Sequence, residues 1–374
     1  MSEFKIKLVP PDIDVETLRQ LPDLFAEVVT DPGKSLRRFE DLLCEKLGVS
    51  HALAVNSGTS ALHLALLSLG IKAGDEVLCP SFTFAATINA ISYVGATPVI
   101  IDSEPDTWNM NPEMVEQALK ARFKVNKKPR ALLLAHTYGM PAKLDEIVKI
   151  CKAHEIPLIE DAAGSLGAQY KDRYLGTFGD VGIISFNYNK IITTGGGGML
   201  LTNNPHLKDQ ASYLATQARS SAPYYVHNEV GYNYQMNGLA SELGILQMES
   251  LDTRIAKKRL IFNNYRKAFS AYETINFQEE MPGFYSNRWL TTILFDWYDT
   301  AGSLKNYLEK NAVEARHLWN PMHRQPVFEH FPGYINGQSE KLFKHGLALP
   351  SGTGLTEAQQ IRIIELVQHF LKTS

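Results

Sequence analysis

Apolar runs rich in β-forming residues alternate with helical stretches between residues 51 and 203. The runs are apolar throughout rather than at every second residue, which is typical of strands covered by helices on both faces. The stretches between them, such as SALHLALLSLG at 60–70 and LDEIVKICKAHE at 144–155, repeat apolar residues near a 3.6-residue spacing. This alternation predicts an α/β fold. The seven predicted strands lie in residues 51–57, 76–81, 97–103, 131–139, 157–163, 181–187 and 197–203.

The last two of these runs are joined by residues 188–196, which are too few for a crossover helix. One of the two strands is therefore predicted to run antiparallel to the others. The expected sheet is seven-stranded, mixed and mostly parallel, and it is wrapped by helices.

The pattern changes after residue 204, where longer helical stretches dominate and residues 240–269 form the longest. A chain of 374 residues is too long for one simple core and suits a large domain with a smaller one. We therefore predict an N-terminal segment at 1–30, a large domain at 31–245 and a small α+β C-terminal domain at 246–374.

Charge and cysteine usage exclude several classes of protein. The formal net charge is −3 and no Lys- or Arg-rich run occurs, so nucleic acid is not an expected partner. No apolar run approaches the roughly 20 residues that cross a bilayer, and the N-terminus has no apolar leader, so we predict a cytoplasmic protein without membrane insertion. Cys44, Cys79 and Cys151 are scattered and the histidines form no HExxH motif, so neither disulfides nor a metal site are predicted.

Polar residues follow several predicted strands, where open α/β sheets bind ligands. Residues 56–60, NSGTS, follow the first strand and open a helix, so their N–H groups and hydroxyls suit a phosphate; a plain helix N-cap is the alternative. Asp161 lies at the end of the fifth strand, and Ser185 lies at the end of the sixth, followed by Lys190. One sheet edge would thus carry a phosphate site, a carboxylate, a hydroxyl and an amine.

These four groups match the needs of pyridoxal 5′-phosphate (PLP), which binds an amine covalently and needs a carboxylate to keep its pyridine nitrogen protonated. Lys190 would supply the amine and Asp161 the carboxylate. Ala163 and Phe84 would lie on the two faces of the ring, although either could be ordinary core packing. The glycines at 195–198 would let the backbone pass close to the cofactor. Nucleotide phosphate loops fit poorly, because the lysine precedes the glycines.

The ordered set of motifs resembles the sugar-nucleotide aminotransferases of the DegT/DnrJ/EryC1/StrS family, within the fold-type-I PLP enzymes. The matching blocks are NSGTSALHLAL, DEVLCPSFTFAATINAI, GATPVIID, IEDAA, SF followed by Lys190 and the glycines, GYNYQMN and RHLWNPMHRQPVF, which together span about residues 35 to 353.

The resemblance implies that Lys190 is the lysine that binds PLP and Asp161 its pyridinium partner. It also implies that Asn233 reaches the cofactor phosphate of a neighbouring subunit, which predicts a homodimer with shared active sites. It further implies that Thr59, Ser60 and Ser185 bind the cofactor phosphate and that Phe84 stacks on the ring. Gly58, in the same turn as Thr59, and Ala163, on the other face of the ring, complete the predicted cofactor contacts.

Within the family, NKIITTxGGGML and ATQAR are similar to the branch that aminates C4 of UDP-2-acetamido-2,6-dideoxy-4-keto sugars in bacillosamine-type pathways. L-glutamate would be the amino donor. His227, Arg316, Trp319 and His323 would contact the sugar nucleotide, although Trp319 and His323 could simply fill the interface between the lobes. The alternatives are a dTDP-keto-sugar 3- or 4-aminotransferase and a non-catalytic PLP-binding regulator.

Three positions depart from the family pattern. Gly164 stands where His, Gln or Glu is frequent, Gln235 where arginine is common, and His317 where proline is frequent. These departures leave the cofactor chemistry intact and leave the identity of the sugar open.

Overall fold

The computed structural model describes residues 4–297 and 300–373. Parts of the predicted N-terminal segment and C-terminal domain, namely residues 1–3, 298, 299 and 374, lie outside the described residues. The helices are α1 (Val15–Thr30), α2 (Pro32–Leu47), α3 (Gly58–Ser68), α4 (Ala85–Tyr93), α5 (Pro112–Lys124), α6 (Leu144–His154), α7 (Pro205–Ala215), α8 (Gly238–Glu249), α9 (Leu251–Ala268), α10 (Thr300–Lys310), α11 (Gln338–His345) and α12 (Glu357–Thr373).

The strands form three sheets of eight, four and three strands. They are β1 (His51–Val55), β2 (Glu76–Pro80), β3 (Thr97–Ile101), β4 (Ala131–Ala135), β5 (Leu158–Asp161), β6 (Gln169–Tyr170), β7 (Arg173–Tyr174), β8 (Val181–Ser185), β9 (Gly198–Thr202), β10 (Ile275–Phe277), β11 (Phe284–Tyr285), β12 (Thr291–Phe295), β13 (Arg316–His317), β14 (Gly333–Tyr334) and β15 (Gly346–Leu349).

The large sheet has the order β1-β9-β8-β5-β4-β2-β3-β14. All seven predicted strands are in it, and β9 is antiparallel to both of its neighbours, β1 and β8. The predicted α/β fold with a mostly parallel, mixed sheet is therefore confirmed. The eighth strand, β14, has only two residues and pairs parallel with β3. Its formation depends on a pairing with residues more than two hundred positions away, and so it has no local sequence signal.

Both faces of the large sheet are buried, which explains why its strands are apolar throughout. In β4, Leu132 and Leu134 pack into one hydrophobic cluster, while Ala131 and Leu133 pack into the cluster on the opposite face. Helices cover both clusters, as a sheet with crossover helices requires.

The predicted helices at 60–70 and 144–155 are present as α3 and α6. The long stretch at 240–269 is two helices instead, because α8 ends at Glu249 and α9 begins at Leu251, with Ser250 capping both. Helix α5 was not predicted, although Asn111 caps it by accepting from the backbone N–H groups of Glu113 and Met114.

The C-terminal part contains the four-stranded antiparallel sheet, in the order β10-β12-β15-β13. Helices α10 and α12 contribute Leu304, Leu308 and Ile363 to the cluster that packs on this sheet. The N-terminal segment joins this part, since Ile6 pairs with Val313. In the region that the structure describes, no helix combines the length and the apolar character that crossing a membrane requires.

Candidate active site

The carboxyl ends of β1, β8 and β5 meet at one edge of the large sheet. Because β9 is antiparallel to both β1 and β8, these two strands run in the same direction, and β5 is parallel to β8. Ser57 follows β1, Asp161 is the last residue of β5, and Lys190 follows β8. The sheet thus brings together the polar groups that the sequence predicts for one site.

The start of α3 forms a compact polar turn. Ser57 caps the helix, its Oγ accepting from the backbone N–H of Ser60 at 3.0 Å. Ser60 in turn donates from Oγ to Asn56 Oδ1 at 2.6 Å. A Cβ placed on Gly58 would lie 3.0 Å from Ser185 Cβ, so the helix start and the end of β8 are in contact. The first N–H groups of a helix and its dipole favour an anion at this position.

Asp161 is held by donors to both of its oxygens and is only 8% exposed. Thr87 donates from Oγ1 to Oδ2 at 2.7 Å, and the backbone N–H of Ala163 donates to Oδ1 at 3.1 Å. The Thr87 hydroxyl also lies 2.8 Å from Thr83 Oγ1. These donors stabilise the carboxylate and fix its orientation. The sequence analysis missed Thr87, whose only signal is its place one helical turn after Phe84.

Lys190 lies in a turn after β8 and is half-buried. Its Nζ lies 3.9 Å from the centre of the Trp289 ring. Burial lowers the pKa of Lys190 from 10.5 to about 8, and the negative charge of Asp161 opposes this by raising it. The amine is therefore neutral more often near pH 7 than an exposed lysine, which is what a nucleophile or a base requires.

Two of the four glycines after Lys190, Gly197 and Gly198, are crowded by other parts of the protein. A Cβ on Gly198 would come within 2.5 Å of the backbone carbon of Ser57, and one on Gly197 within 2.5 Å of Met236 Cε. Gly196 has no atom within 4 Å of such a Cβ. The backbone at Gly198 thus passes close to the turn that opens α3, so only a residue without a Cβ fits at position 198.

The other predicted cofactor contacts lie around this edge. Phe84 precedes α4 and is 62% exposed, so its ring face is open. Ala163 is partly buried beside Asp161. Asn233 is exposed, and its backbone carbonyl accepts from Asn56 Nδ2 at 3.1 Å. The roles of these residues stay predictions.

No hydrogen bond, ion pair or ring contact joins the four residues that are predicted to bind the sugar nucleotide, all of which the structure describes. Trp319 is half-buried and stacks on Tyr138 with ring centres 4.3 Å apart. His323 is hydrogen-bonded through Nδ1 to Ser81 Oγ at 2.7 Å. Arg316 is exposed and pairs with the carboxylate of Glu314, and His227 is exposed with its Nδ1 2.8 Å from the Gln217 carbonyl. Of the four, only Trp319 lies in a cluster of rings with Trp289, the residue whose ring lies next to Lys190 Nζ.

That ring cluster is the main feature that the sequence analysis missed. Trp289 lies with its ring centre 6.4 Å from those of Tyr138 and Trp319. Tyr138 has a left-handed backbone, with φ of 55°, and its hydroxyl accepts from the Trp319 N–H at 3.1 Å. Such strained residues concentrate at functional sites. Trp289 is about a hundred residues from Lys190 in sequence, so no local motif connects them.

The residues present fit PLP. A helix N-terminus faces Ser185, a buried carboxylate has both oxygens oriented, and an amine of lowered pKa lies at the same edge. An anionic phosphate, a protonated ring nitrogen and an aldehyde each find a complementary group there.

Comparison with known proteins identifies the family. The profile of the DegT/DnrJ/EryC1/StrS aminotransferase family matches residues 11–368. The chain belongs to this family. EpsN of Bacillus subtilis (strain 168), a protein assigned by name to the pyridoxal phosphate-dependent aminotransferases, is 44% identical over 99% of this chain and 96% of its own length. GDP-perosamine synthase of Escherichia coli O157:H7 is 35% identical over 91% of this chain and 92% of its own length.

Solved structures of the family share the fold. A DegT/DnrJ/EryC1/StrS aminotransferase from Brucella abortus superimposes with a TM-score of 0.89 at 29% identity, covering 95% of this chain and 96% of its own. DesV of S. venezuelae gives 0.88 at 26% identity and covers 99% of each chain. The fold is thus that of the PLP-dependent DegT/DnrJ aminotransferases, and this member of the family is a PLP-dependent sugar aminotransferase. The relatives do not single out the UDP-sugar branch that the sequence motifs suggest.

Proposed function

We propose that this aminotransferase moves the amino group of L-glutamate to the C4 keto group of a UDP-2-acetamido-2,6-dideoxy-4-keto sugar, giving a UDP-4-amino-4,6-dideoxy-N-acetyl sugar. The observation that carries the chemistry is the position of Lys190. Lys190 is half-buried, and its amine has a pKa lowered to about 8 and lies within electrostatic reach of Asp161. The choice of a UDP-linked sugar is supported by the motifs NKIITTxGGGML and ATQAR.

Each part of PLP has a proposed holder in this chain. The start of α3, with Gly58, Thr59 and Ser60, would hold the phosphate together with Ser185. Asp161 would hold a proton on the ring nitrogen, because a fixed negative charge favours the charged form of its partner. Thr87 would keep that carboxylate aimed, through the 2.7 Å hydrogen bond to Oδ2.

Bound PLP supplies an aldehyde that links to amines and an electron-poor ring that stabilises negative charge on the reacting carbon. Lys190 would hold this aldehyde in the resting enzyme. Once an amino substrate had displaced it, the Lys190 Nζ would be free to remove a proton from the reacting carbon and to return it. One group can serve in both directions because its pKa of about 8 lies close to neutrality.

A GDP-linked keto sugar is the second candidate substrate. Proteins named GDP-perosamine synthase from Escherichia coli O157:H7 and Vibrio cholerae are 35% and 34% identical to this chain over 91% and 98% of its length. The names of these relatives support a GDP-linked substrate, but a few side chains are enough to determine which nucleotide an enzyme recognises, so this choice needs a direct test.

The nucleotide is tested by steady-state rates on UDP-, GDP- and dTDP-linked 4-keto sugars with L-glutamate, with the product identified by NMR. We expect the highest kcat/KM with the UDP-linked substrate. A clear preference for the GDP- or dTDP-linked sugar would replace the proposed substrate, and the position of the new amino group would show whether C4 is the site.

We also propose that the enzyme is a homodimer in which Asn233 reaches the partner's cofactor, as the resemblance implies. The exposed side chain of Asn233 supports this proposal. Mixing refolded Lys190→Ala and Asn233→Ala chains should restore activity, because one site of the mixed dimer then has both residues. If Asn233 serves its own subunit, the mixture stays as inactive as the separate variants. The predicted cytoplasmic location stays a prediction.

A further inference from the structure

Trp289 is fixed in place through both of its backbone polar groups. Its backbone N–H donates to Asn287 Oδ1 at 3.0 Å, and its carbonyl accepts from Lys258 Nζ at 2.9 Å. Lys258 is 1% exposed and also donates to the carbonyl of Ser351 at 2.9 Å. Asn287 donates from Nδ2 to the carbonyl of Gly164 at 3.0 Å. The backbone of Trp289 is therefore fixed relative to the loop after β5.

The indole contacts the segment that carries the reactive lysine in two ways. Its Nε1–H donates to the backbone carbonyl of Asn189 at 2.8 Å. Its ring lies 3.9 Å from the Nζ of the next residue, Lys190. Among the residues that the structure describes, no hydrogen bond or ion pair to this Nζ is found; the Trp289 ring contacts it directly, and the charge of Asp161 also favours its protonated form.

Gly164 has no side chain, and the indole of Trp289 occupies the space that a side chain there would fill. A Cβ at this position would lie 2.6 Å from Trp289 Cε3 and 3.1 Å from Cζ3, closer than real Cβ contacts. The glycine backbone there is not left-handed, so the absence of a side chain is explained by the ring and not by the backbone. Gly164 and Trp289 thus form a complementary pair.

We propose that Trp289 is a positioning residue for Lys190: its indole holds the amine beside the reacting atoms whenever that amine is not bound to the cofactor. This inference rests on the proposed role of Lys190. A free lysine has a flexible four-carbon stem, and the geometry of proton transfer requires it to stay within reach of the carbon it serves. A ring face attracts the ammonium form without forming a salt bridge that would trap it.

The ring should also stabilise the protonated amine. A cation over an indole gains from about 0.5 to 2 kcal/mol, which corresponds to a pKa rise of roughly one unit. Replacing Trp289 by Leu keeps the site apolar but removes this attraction, so the pKa of Lys190 should fall below its value of about 8. At pH 7 the neutral fraction of the amine should then rise about fivefold.

The test uses the full-length protein loaded with pyridoxamine phosphate, in which the Lys190 amine is free. Acylation of Lys190 by an amine-reactive reagent is followed against pH by peptide mass spectrometry in wild type, Trp289→Leu and Trp297→Leu. Trp297 is 68% exposed and serves as the matched control. We expect the midpoint to fall by about one pH unit in Trp289→Leu and to stay unchanged in the control.

Gly164→Ala provides a second route to the same change, because its Cβ should push the ring away without removing it. The midpoint should shift in the same direction, and it should shift less in Trp289→Phe, which keeps a ring face. In steady-state assays kcat should fall more than KM changes in Trp289→Leu. If Trp289→Leu does not fold, Gly164→Ala decides the question.

The two failures are distinguishable. An unchanged acylation midpoint in both Trp289→Leu and Gly164→Ala would overturn the positioning role, whatever Lys190 does. If PLP instead attached to another lysine in wild type, the proposed function itself would fail, while the acylation profiles would still report the contact with the ring.

Discussion

Replacing Asp161 by Asn removes one negative charge from the site and keeps the shape of the side chain. The amide oxygen can accept from the Ala163 N–H in place of Oδ1. The amide nitrogen then faces Thr87 Oγ1, which can turn to accept this donor and give its own proton to Thr83, 2.8 Å away. The variant is therefore expected to fold, and its effect should be that of the lost charge.

The size of that effect follows from the electrostatics of the pair. An opposite charge within about 4–6 Å shifts a pKa by about 1–3 units, so the ring nitrogen of bound PLP should lose that much basicity. If protonation of this nitrogen limits the reaction, kcat should fall about 10- to 1,000-fold. The same change should lower the pKa of Lys190, because Asp161 raises it in the wild type.

The assay combines steady-state kcat with the pH profile of Lys190 acylation, and thermal unfolding serves as the control for folding. We expect a large loss of kcat, an acylation midpoint at lower pH and an unfolding temperature close to that of the wild type. An unchanged kcat in a folded Asp161→Asn protein would refute the assignment of the carboxylate to the ring nitrogen.

Two further predictions concern packing and stability. Gly198→Ala should destabilise the protein by about 1–3 kcal/mol and weaken PLP binding, because its Cβ would crowd the backbone of Ser57. Gly196→Ala is the matched control, since a Cβ there meets open space, and it should change neither stability nor PLP binding. Denaturant unfolding and PLP titration measure the two effects. Lys190→Met should raise the free energy of unfolding of the cofactor-free protein at pH 7, because the folded state disfavours the protonated amine. This gain in the free energy of unfolding should shrink as pH rises from about 8 to 10.5, because in that range the folded wild type has lost the proton of Lys190 while the unfolded chain still holds it. A gain that is constant with pH would contradict the lowered pKa.

The large sheet and its site edge could be predicted from sequence because both depend on local signals. Strands buried on both faces are apolar throughout, and the residues at their carboxyl ends are displayed at one edge, as Asp161 and Ser185 are. The antiparallel strand β9 was predictable from the short connection before it. These features need no knowledge of distant contacts.

The surroundings of Lys190 could not be predicted in this way. Trp289 reaches the lysine from the strand region of the C-terminal part, and its position depends on Asn287 and Lys258, which are themselves fixed by long-range hydrogen bonds. The reason for Gly164 also became visible only with the ring in place. Thr87 is close to Phe84 in sequence, but its hydrogen bond to Asp161 joins residues 74 positions apart and has no local signal.

The central claim is that Lys190 holds the aldehyde of PLP at the edge that carries Asp161. Borohydride reduction of the PLP-loaded protein makes such a link permanent, and peptide mass spectrometry then locates it. The account predicts a single modified residue, Lys190, in the wild type and no modification in Lys190→Ala. A cofactor fixed to another lysine, or one that washes off after reduction, would contradict it.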